Sequence, residues 1–395
     1  MKKFGIILIA FMVAFTLAFA VSTTNSWAAK KKYEKYAFDK RHEAWSKIKW
    51  KTSDKKIRWR LSDTWGGLLN HDATVHFCDS VRAASGGRLD IKPMTTGSVV
   101  GAFELFDAVA KGVLDAGHSW SGYWKGKDEA FVLFASVPFS MDYETYSVWY
   151  WVGEGKALMD ELYGKFGLKP FFCGNAGQEL GLYSKKPRKT MEEFKGIKVR
   201  TPGWFMDILN RMGVNATAIP GAEVYLALER GIVDAAEFSS PAITYGMGFH
   251  EICKFVTEPG MHQPSAQMDL FINKKKWDAL PADLKAIVEI CAAETDAWFY
   301  QYNESANSKA IAMLKEAGVT FVRMAPEALN EFRKMTDAYI EELKAKYPNV
   351  KKIRESQEKF IKYHAAWKEL RSGVSTWPQE KYLAPAETKY LGHFQ

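Results

Sequence analysis

The longest coherent pattern of apolar and polar positions in this chain runs from Pro281 to about Ala317. There Leu284, Ile287, Cys291, Trp298, Tyr302, Ala306, Ala310 and Leu314 recur at mostly three- and four-residue steps. That period predicts an amphipathic helix, and Pro281 suits its first turn, where a backbone N–H would go unpaired in any case. At 1.5 Å per residue the helix would be roughly 55 Å long. One α/β unit is shorter than that, so the helix is expected to span two units, the alternative being a kink near Gln301 to Ser305. Beyond Glu327 the pattern is mostly helical and rich in lysine, and it ends in an aromatic tail, STWPQEKYLAPAETKYLGHFQ.

A shorter pattern occurs twice. ELFDAVAKGVLDAG (Glu104 to Gly117) and EVYLALERGIVDAA (Glu223 to Ala236) align without gaps and share Glu, Ala, Gly, Asp and Ala. Each predicts a helix, a glycine stop and a short apolar strand. Gly112 and Gly231 suit the stop because a residue without Cβ enters the left-handed region freely. The two strands carry their succeeding residues, HSWSGYW from His118 and EFSSPA from Glu237, to strand carboxyl ends, where open α/β sheets bind ligands. Two similar α/β lobes with a cleft between them are the architecture this echo predicts.

The amino terminus is different in kind. Lys2 and Lys3 precede an apolar run from Phe4 to Val21 and a small-residue exit at Ser26, Trp27 and Ala28. This is the three-part layout of a secretory signal, with cleavage expected before Ala29 and a membrane anchor as the alternative. Losing residues 1–28 lowers the formal charge from +8 to +6. The remaining basic clusters are interleaved with acids, which argues against a nucleic-acid partner. Cys78, Cys173, Cys253 and Cys291 show no C-x-x-C spacing, so the common zinc and thioredoxin patterns are excluded. A disulfide in an oxidising compartment remains open, with three possible pairings.

Candidate chemistry begins at IKVRTPGWF (197–205), a short alternating run that ends in Arg200 beside a Pro-Gly turn. A guanidinium at a strand end is suited to an anion. Enzyme signatures are missing: there is no G-x-S-x-G, no H-E-x-x-H, no Walker loop and no G-x-G-x-x-G after a strand. An exported metal-dependent enzyme acting on a 2-oxo acid is the competing class, with His262 as its general acid or base.

Several segments carry a family resemblance over residues 56 to 345: SGGRLDIKPMTTGSVVGAFELFDAVAKGVLDAGHS, GYWKGKDEAF, FKGIKVRTPGW, ALERGIVDAAEF and EPGMHQP. They resemble the extracytoplasmic solute-binding proteins of TRAP transporters, and within these the subgroup that binds 2-oxo and 2-hydroxy monocarboxylates such as pyruvate or lactate with a metal ion. The resemblance implies an α/β, two-lobed periplasmic-binding-protein-like fold with a cleft between the lobes and a long helix spanning both. It implies no catalysis, a periplasmic location, membrane subunits as partners and, from relatives with swapped C-terminal helices, a homodimer. The expected division is signal peptide 1–28, leader 29–55, first lobe 56–172 plus about 239–275, second lobe 173–238 plus about 276–345, and a C-terminal segment 346–395.

For the site, the resemblance implies that Arg200 pairs bidentately with the ligand carboxylate. Tyr123 and Trp124 line the ligand, Asn175 donates to its oxygens, Trp204 caps the pocket, and His262 and Gln263 lie in the EPGMHQP loop beside it. Relatives hold a cation with a Gln, an acid and a backbone carbonyl. Here the acid is Glu237 and the carbonyl belongs to Phe238, while the Gln position falls on Glu179, one residue after Gln178. Only one of these two neighbours can face the cleft of an extended strand, and Glu179 is the expected one. Two carboxylates favour Ca²⁺ over Na⁺, whereas a site built on Gln178 suits either ion.

Overall fold

A computed structural model describes residues 47–50 and 54–375. The expected signal peptide, most of the leader and the aromatic tail beyond 375 lie outside the described residues. No helix among the described residues is long and apolar enough to cross a membrane.

The chain opens with β1 (Ile57–Asp63), α1 (Asn70–Ala84), β2 (Leu89–Met94), α2 (Leu105–Ala110) and β3 (Ala116–Ser119). Helical connections allow neighbours to run parallel, and β1 pairs in parallel with both β2 and β3. Next come α3 (Tyr143–Trp151), α4 (Gly155–Gly164) and β4 (Leu168–Asn175). A second group is formed by β5 (Tyr183–Ser184), β6 (Lys198–Arg200), α5 (Gly203–Arg211), β7 (Asn215–Thr217), α6 (Val224–Glu229), β8 (Ala235–Ala236), α7 (Pro241–Gly246), α8 (Phe249–Ile252) and β9 (Phe255–Glu258). The last elements are β10 (Gln267–Asn273), α9 (Lys274–Asp278), α10 (Ala282–Glu316), β11 (Thr320–Arg323), α11 (Pro326–Lys346) and α12 (Pro348–Ser375).

These strands form two sheets, ordered β2-β1-β3-β10-β4 and β11-β9-β5-β8-β6-β7. The chain therefore leaves the first sheet after β4, re-enters it at β10, and leaves again through α10 to reach β11. The expected mixed α/β fold with two lobes is the one found. α10 is a single helix of 35 residues, about 52 Å at 1.5 Å per residue. Leu284, Ile287 and Val288 in its first half join Trp59, Leu61 and Phe171 in the core of the first sheet. Phe299 and Leu314 in its second half join Tyr183 and Val256 beside the second. It thus packs on both lobes without the kink near Gln301.

The echo is visible as structure. Each copy has a short 3-10 turn, Ala102–Glu104 or Gly221–Glu223, then α2 or α6, then a glycine with φ of +79° or +68°, then β3 or β8. β3 pairs with β1 and β10 in the first sheet. β8 pairs with β5 and β6 in the second. Equivalent residues after the two strands therefore arrive from opposite lobes.

The first two crossings between lobes run side by side. Ala176 N–H donates to the Ala266 carbonyl at 3.0 Å, Ala266 N–H to Gly177 at 2.8 Å, and Glu179 N–H to Gln263 at 3.1 Å. Gly260 sits so close to this neighbour that a Cβ would lie 1.9 Å from the Glu179 carbonyl oxygen. Only glycine permits that approach.

The lobe borders differ from those expected. β9 at 255–258, grouped in sequence with the first lobe, pairs with β5 and β11 in the second sheet. β4 continues in the first sheet to Asn175, three residues past the expected end. Sheet membership depends on ladder partners, and these are remote in sequence. The four cysteines are buried and unpaired.

Candidate functional site

Arg200 is the last residue of β6, and its side chain is almost wholly buried, 1% exposed. Nε donates to the Ile219 carbonyl at 3.0 Å. Nη1 donates to the Glu237 carbonyl at 2.7 Å and to Glu237 Oε1 at 3.1 Å. The Phe238 ring packs against the guanidinium, with Cζ 5.2 Å from the ring centre. Nη2 is buried without a hydrogen bond of ordinary geometry, and the Tyr123 phenol stands beside the guanidinium. The group is thus immobilised on one side and open on the other, which preorganises it for an anion. Because Nε and Nη1 already serve the protein, the expected pair of parallel donors on two nitrogens is reduced to the N–H groups of Nη2.

Beside it, both crossing segments contribute to a buried charge cluster. His262 Nε2 lies 3.1 Å from Glu179 Oε2 and 3.6 Å from Glu237 Oε2. Each carboxylate is anchored through its other oxygen, Glu179 Oε1 by Gln263 Nε2 at 2.6 Å and Glu237 Oε1 by Arg200. Both Oε2 atoms are consequently turned toward one point, and one donor atom from each of the three side chains fits within 4.8 Å of the others. Oxygen donors from two carboxylates are what a hard cation selects. Second contacts that hold ligand side chains in place are typical of metal sites. The residues present therefore fit a cation.

The electrostatics are those of a mutually compensating group. Burial pushes the Glu179 carboxyl up to about 7, against the His262 hydrogen bond. Burial would also raise Glu237, but the Arg200 charge, with help from His262, outweighs it and lowers the value to about 2. For His262 burial works downward, and the hydrogen bonds and charges of Glu179 and Glu237 overcome it, raising the imidazole to about 9. Phe205 stacks on the imidazole at 5.1 Å between ring centres and fixes its plane.

Arg200, Glu237, Glu179 and Gln263 line a small cavity of about 30 Å³. Its apolar walls include Trp65, Trp120, Tyr123, Phe238 and Met268. Burial raises the Tyr123 phenol, with Arg200 opposing, so the phenol stays a neutral donor. Gln178 is exposed and Glu179 buried. Residues 176–182 form an irregular crossing and not the expected strand.

Three expected site residues stand elsewhere, and His262 reaches the cavity only through Glu179 and Glu237, without lining it. Trp124 is buried in the first-lobe core, in contact with Phe106 and Phe271, and does not line the cavity. Trp204 is likewise buried and donates from Nε1 to Glu129 Oε2 at 2.9 Å. Asn175 uses Nδ2 for Ser265 Oγ at 2.7 Å and Gln267 Oε1 at 2.8 Å, while its Oδ1 accepts from Gly177 N–H at 2.7 Å. With its amide so engaged, Asn175 shapes the first crossing and does not line the cavity.

Residues 67–346 match the family described as bacterial extracellular solute-binding protein, family 7. The chain belongs to this family. The monocarboxylate 2-oxoacid-binding periplasmic protein of Nostoc sp. is 30% identical over 287 residues, covering 73% of this chain and 79% of the relative. Two solved TRAP periplasmic solute-binding proteins are each 32% identical. The one from Pseudoalteromonas atlantica T6c, with bound sodium and pyruvate, superposes with a TM-score of 0.77 and covers 86% of this chain and 100% of its own. The one from Colwellia psychrerythraea, with bound calcium and pyruvate, gives 0.78 and covers 81% and 98%.

In this family 7 protein the cavity also holds residues that the sequence did not single out: Trp65, Asn70, Trp120 and Ser239. Trp120 and Ser239 carried a readable signal, since they occupy equivalent positions after the two echoed strands. Asn70, at the start of α1, carried none.

Proposed function

We propose that this protein captures a small monocarboxylate, a 2-oxo or 2-hydroxy acid such as pyruvate or lactate, in the periplasm and presents it to the membrane subunits of a TRAP transporter. The observation that carries the reading is Arg200 Nη2, a buried cationic donor without a partner on the cavity wall. Such an atom is costly to leave unpaired, and a carboxylate satisfies it. Glu179 and Glu237, with the backbone carbonyl of Phe238, are the groups that would hold Ca²⁺ or Na⁺. A cation there would add to Arg200 and His262 in compensating the two carboxylates beside an anionic ligand.

The protein is a carrier and not an enzyme on this reading. His262 Nε2 is shared between two carboxylates, so it is not free to move a proton on a ligand. Capture proceeds by closure of the lobes over the anion, and the export signal at 1–28 delivers the chain to the compartment where the family works.

Titration calorimetry with pyruvate in the presence of Ca²⁺ tests the proposal. The protein as isolated and dialysed should bind one ligand per chain, and R200M should weaken binding by at least tens-fold, as expected when a buried charge partner is lost. Recovered pyruvate should be chemically unchanged by NMR. Equal affinity of R200M, or turnover of pyruvate, would overturn the reading.

A further inference from the structure

Buried polar atoms without partners are not scattered evenly through this protein. Among the described residues twelve such side-chain atoms occur, and four of them, Asn70 Oδ1, Trp120 Nε1, Arg200 Nη2 and Ser239 Oγ, belong to residues lining the one cavity around Arg200. A buried donor or acceptor left unpaired loses its hydration without compensation, so a concentration of them marks hydrogen-bonding capacity reserved for a ligand.

The four divide between the lobes. Arg200 and Ser239 lie at the ends of β6 and β8 of the second sheet, whereas Asn70 and Trp120 come after β1 and β3 of the first. The pseudo-repeat sets Trp120 against Ser239, so the echo supplies one polar atom to each wall. Ser239 adopts φ +52°, a left-handed conformation that is unfavourable for a residue with a Cβ and typical of binding sites. Asn70 and Trp120 therefore face a ligand held by Arg200 from the other lobe.

The chemistry of that far wall is specific. Trp120 Nε1–H can only donate, so it requires an acceptor on the ligand. Asn70 Oδ1, in the orientation the side chain adopts, accepts and calls for a donor. A methyl group satisfies neither, and the C2 oxygen of pyruvate can only accept. A hydroxyl does both at once and is the smallest neutral group that can.

Resting on the carboxylate-capture reading, we infer that the preferred solute is a short acid with a hydroxyl at the end remote from the carboxylate, clamped by Arg200 and Ser239 on one lobe and by Asn70 and Trp120 on the other. Closure then depends on both ends of the solute, because the far-wall contacts form only when the lobes meet.

The test compares two matched pairs by calorimetry under one set of cation conditions, pyruvate with hydroxypyruvate and lactate with glycerate. The hydroxylated member of each pair should bind at least about tenfold tighter, since a site with hydrogen-bonding groups discriminates strongly against an analogue that lacks the hydroxyl. In N70L that ratio should collapse toward one. W120F keeps an aromatic ring at this position but removes the N–H, and should reduce the ratio as well, so a poorly folded N70L leaves the proposal testable. Tighter or equal binding of the methyl acids, or an undiminished ratio in both variants, would overturn the inference while leaving carboxylate capture intact. Failure of all four acids to bind would overturn both.

Discussion

At the scale of single residues, the structure separates aromatic side chains that line the cavity from those that only pack. Chemical type does not make this distinction, because Trp120, Trp124 and Trp204 are all buried and all lie within or next to motif segments. The difference is direction. Trp204 commits its N–H to Glu129, so W204F should lower stability by at least about 1 kcal/mol, through the lost hydrogen bond and the core space left by the smaller ring, and leave pyruvate affinity unchanged. Chemical denaturation and calorimetry on the same variant check both halves, and a large affinity loss would return Trp204 to the pocket. Arg200 shows the converse. A motif was enough to mark it for a carboxylate, yet which of its nitrogens is available depends on the carbonyls of Ile219 and Glu237, contributed by separate segments. Glu179 is separable from Gln178 on sequence only by assuming an extended strand. The burial difference arises instead from the pairing of two irregular crossings.

At the scale of elements, α10 does more than cover two sheets. Asn303 on its buried face donates from Nδ2 to the Ala176 carbonyl at 2.6 Å and accepts from Ser240 Oγ at 3.1 Å. One side chain thus ties the first crossing to the loop after β8 that carries Glu237, Phe238 and Ser239. N303A would remove both bonds and leave a buried carbonyl unpaired, at about 2 kcal/mol. Urea unfolding should show a lower midpoint with an unchanged slope, and a midpoint equal to that of the parent would refute this role. The existence of α10 was legible from its three- and four-residue steps. Its tie to Ala176 was not, because a buried Asn in a helix carries no mark of its partner.

At the scale of the whole molecule, the two lobes surround ionisable groups that folding removes from water. Asp269 in β10 is held by Tyr163, whose hydroxyl donates to Oδ2 at 2.5 Å, while Oδ1 is unpaired. Burial raises its carboxyl from the ordinary 3.8 to about 7, against the Tyr163 bond. The folded value lies above the unfolded one, so its contribution to stability is complete below about 3.8 and is lost as pH rises through about 7. Asp296 adds a similar loss, raised by burial to about 6. D269N cannot ionise, so its melting temperature relative to the parent should rise between about pH 5 and pH 8. A difference that does not change with pH would show that Asp269 is not ionising in this range. On the same scale, periodicity and the internal echo were enough by themselves to determine the α/β class, the two-lobed plan and the spanning helix, since each is written in local spacing, while the expectation of a carboxylate at Arg200 came from the family resemblance. Only the tertiary structure decided the sheet to which 255–258 belongs, the retirement of Asn175, Trp124 and Trp204 from the cavity, and the appearance there of Asn70 and Trp120. Those outcomes depend on which remote backbone and side chains compete for the same hydrogen bonds and space, and that competition begins only when the chain has folded.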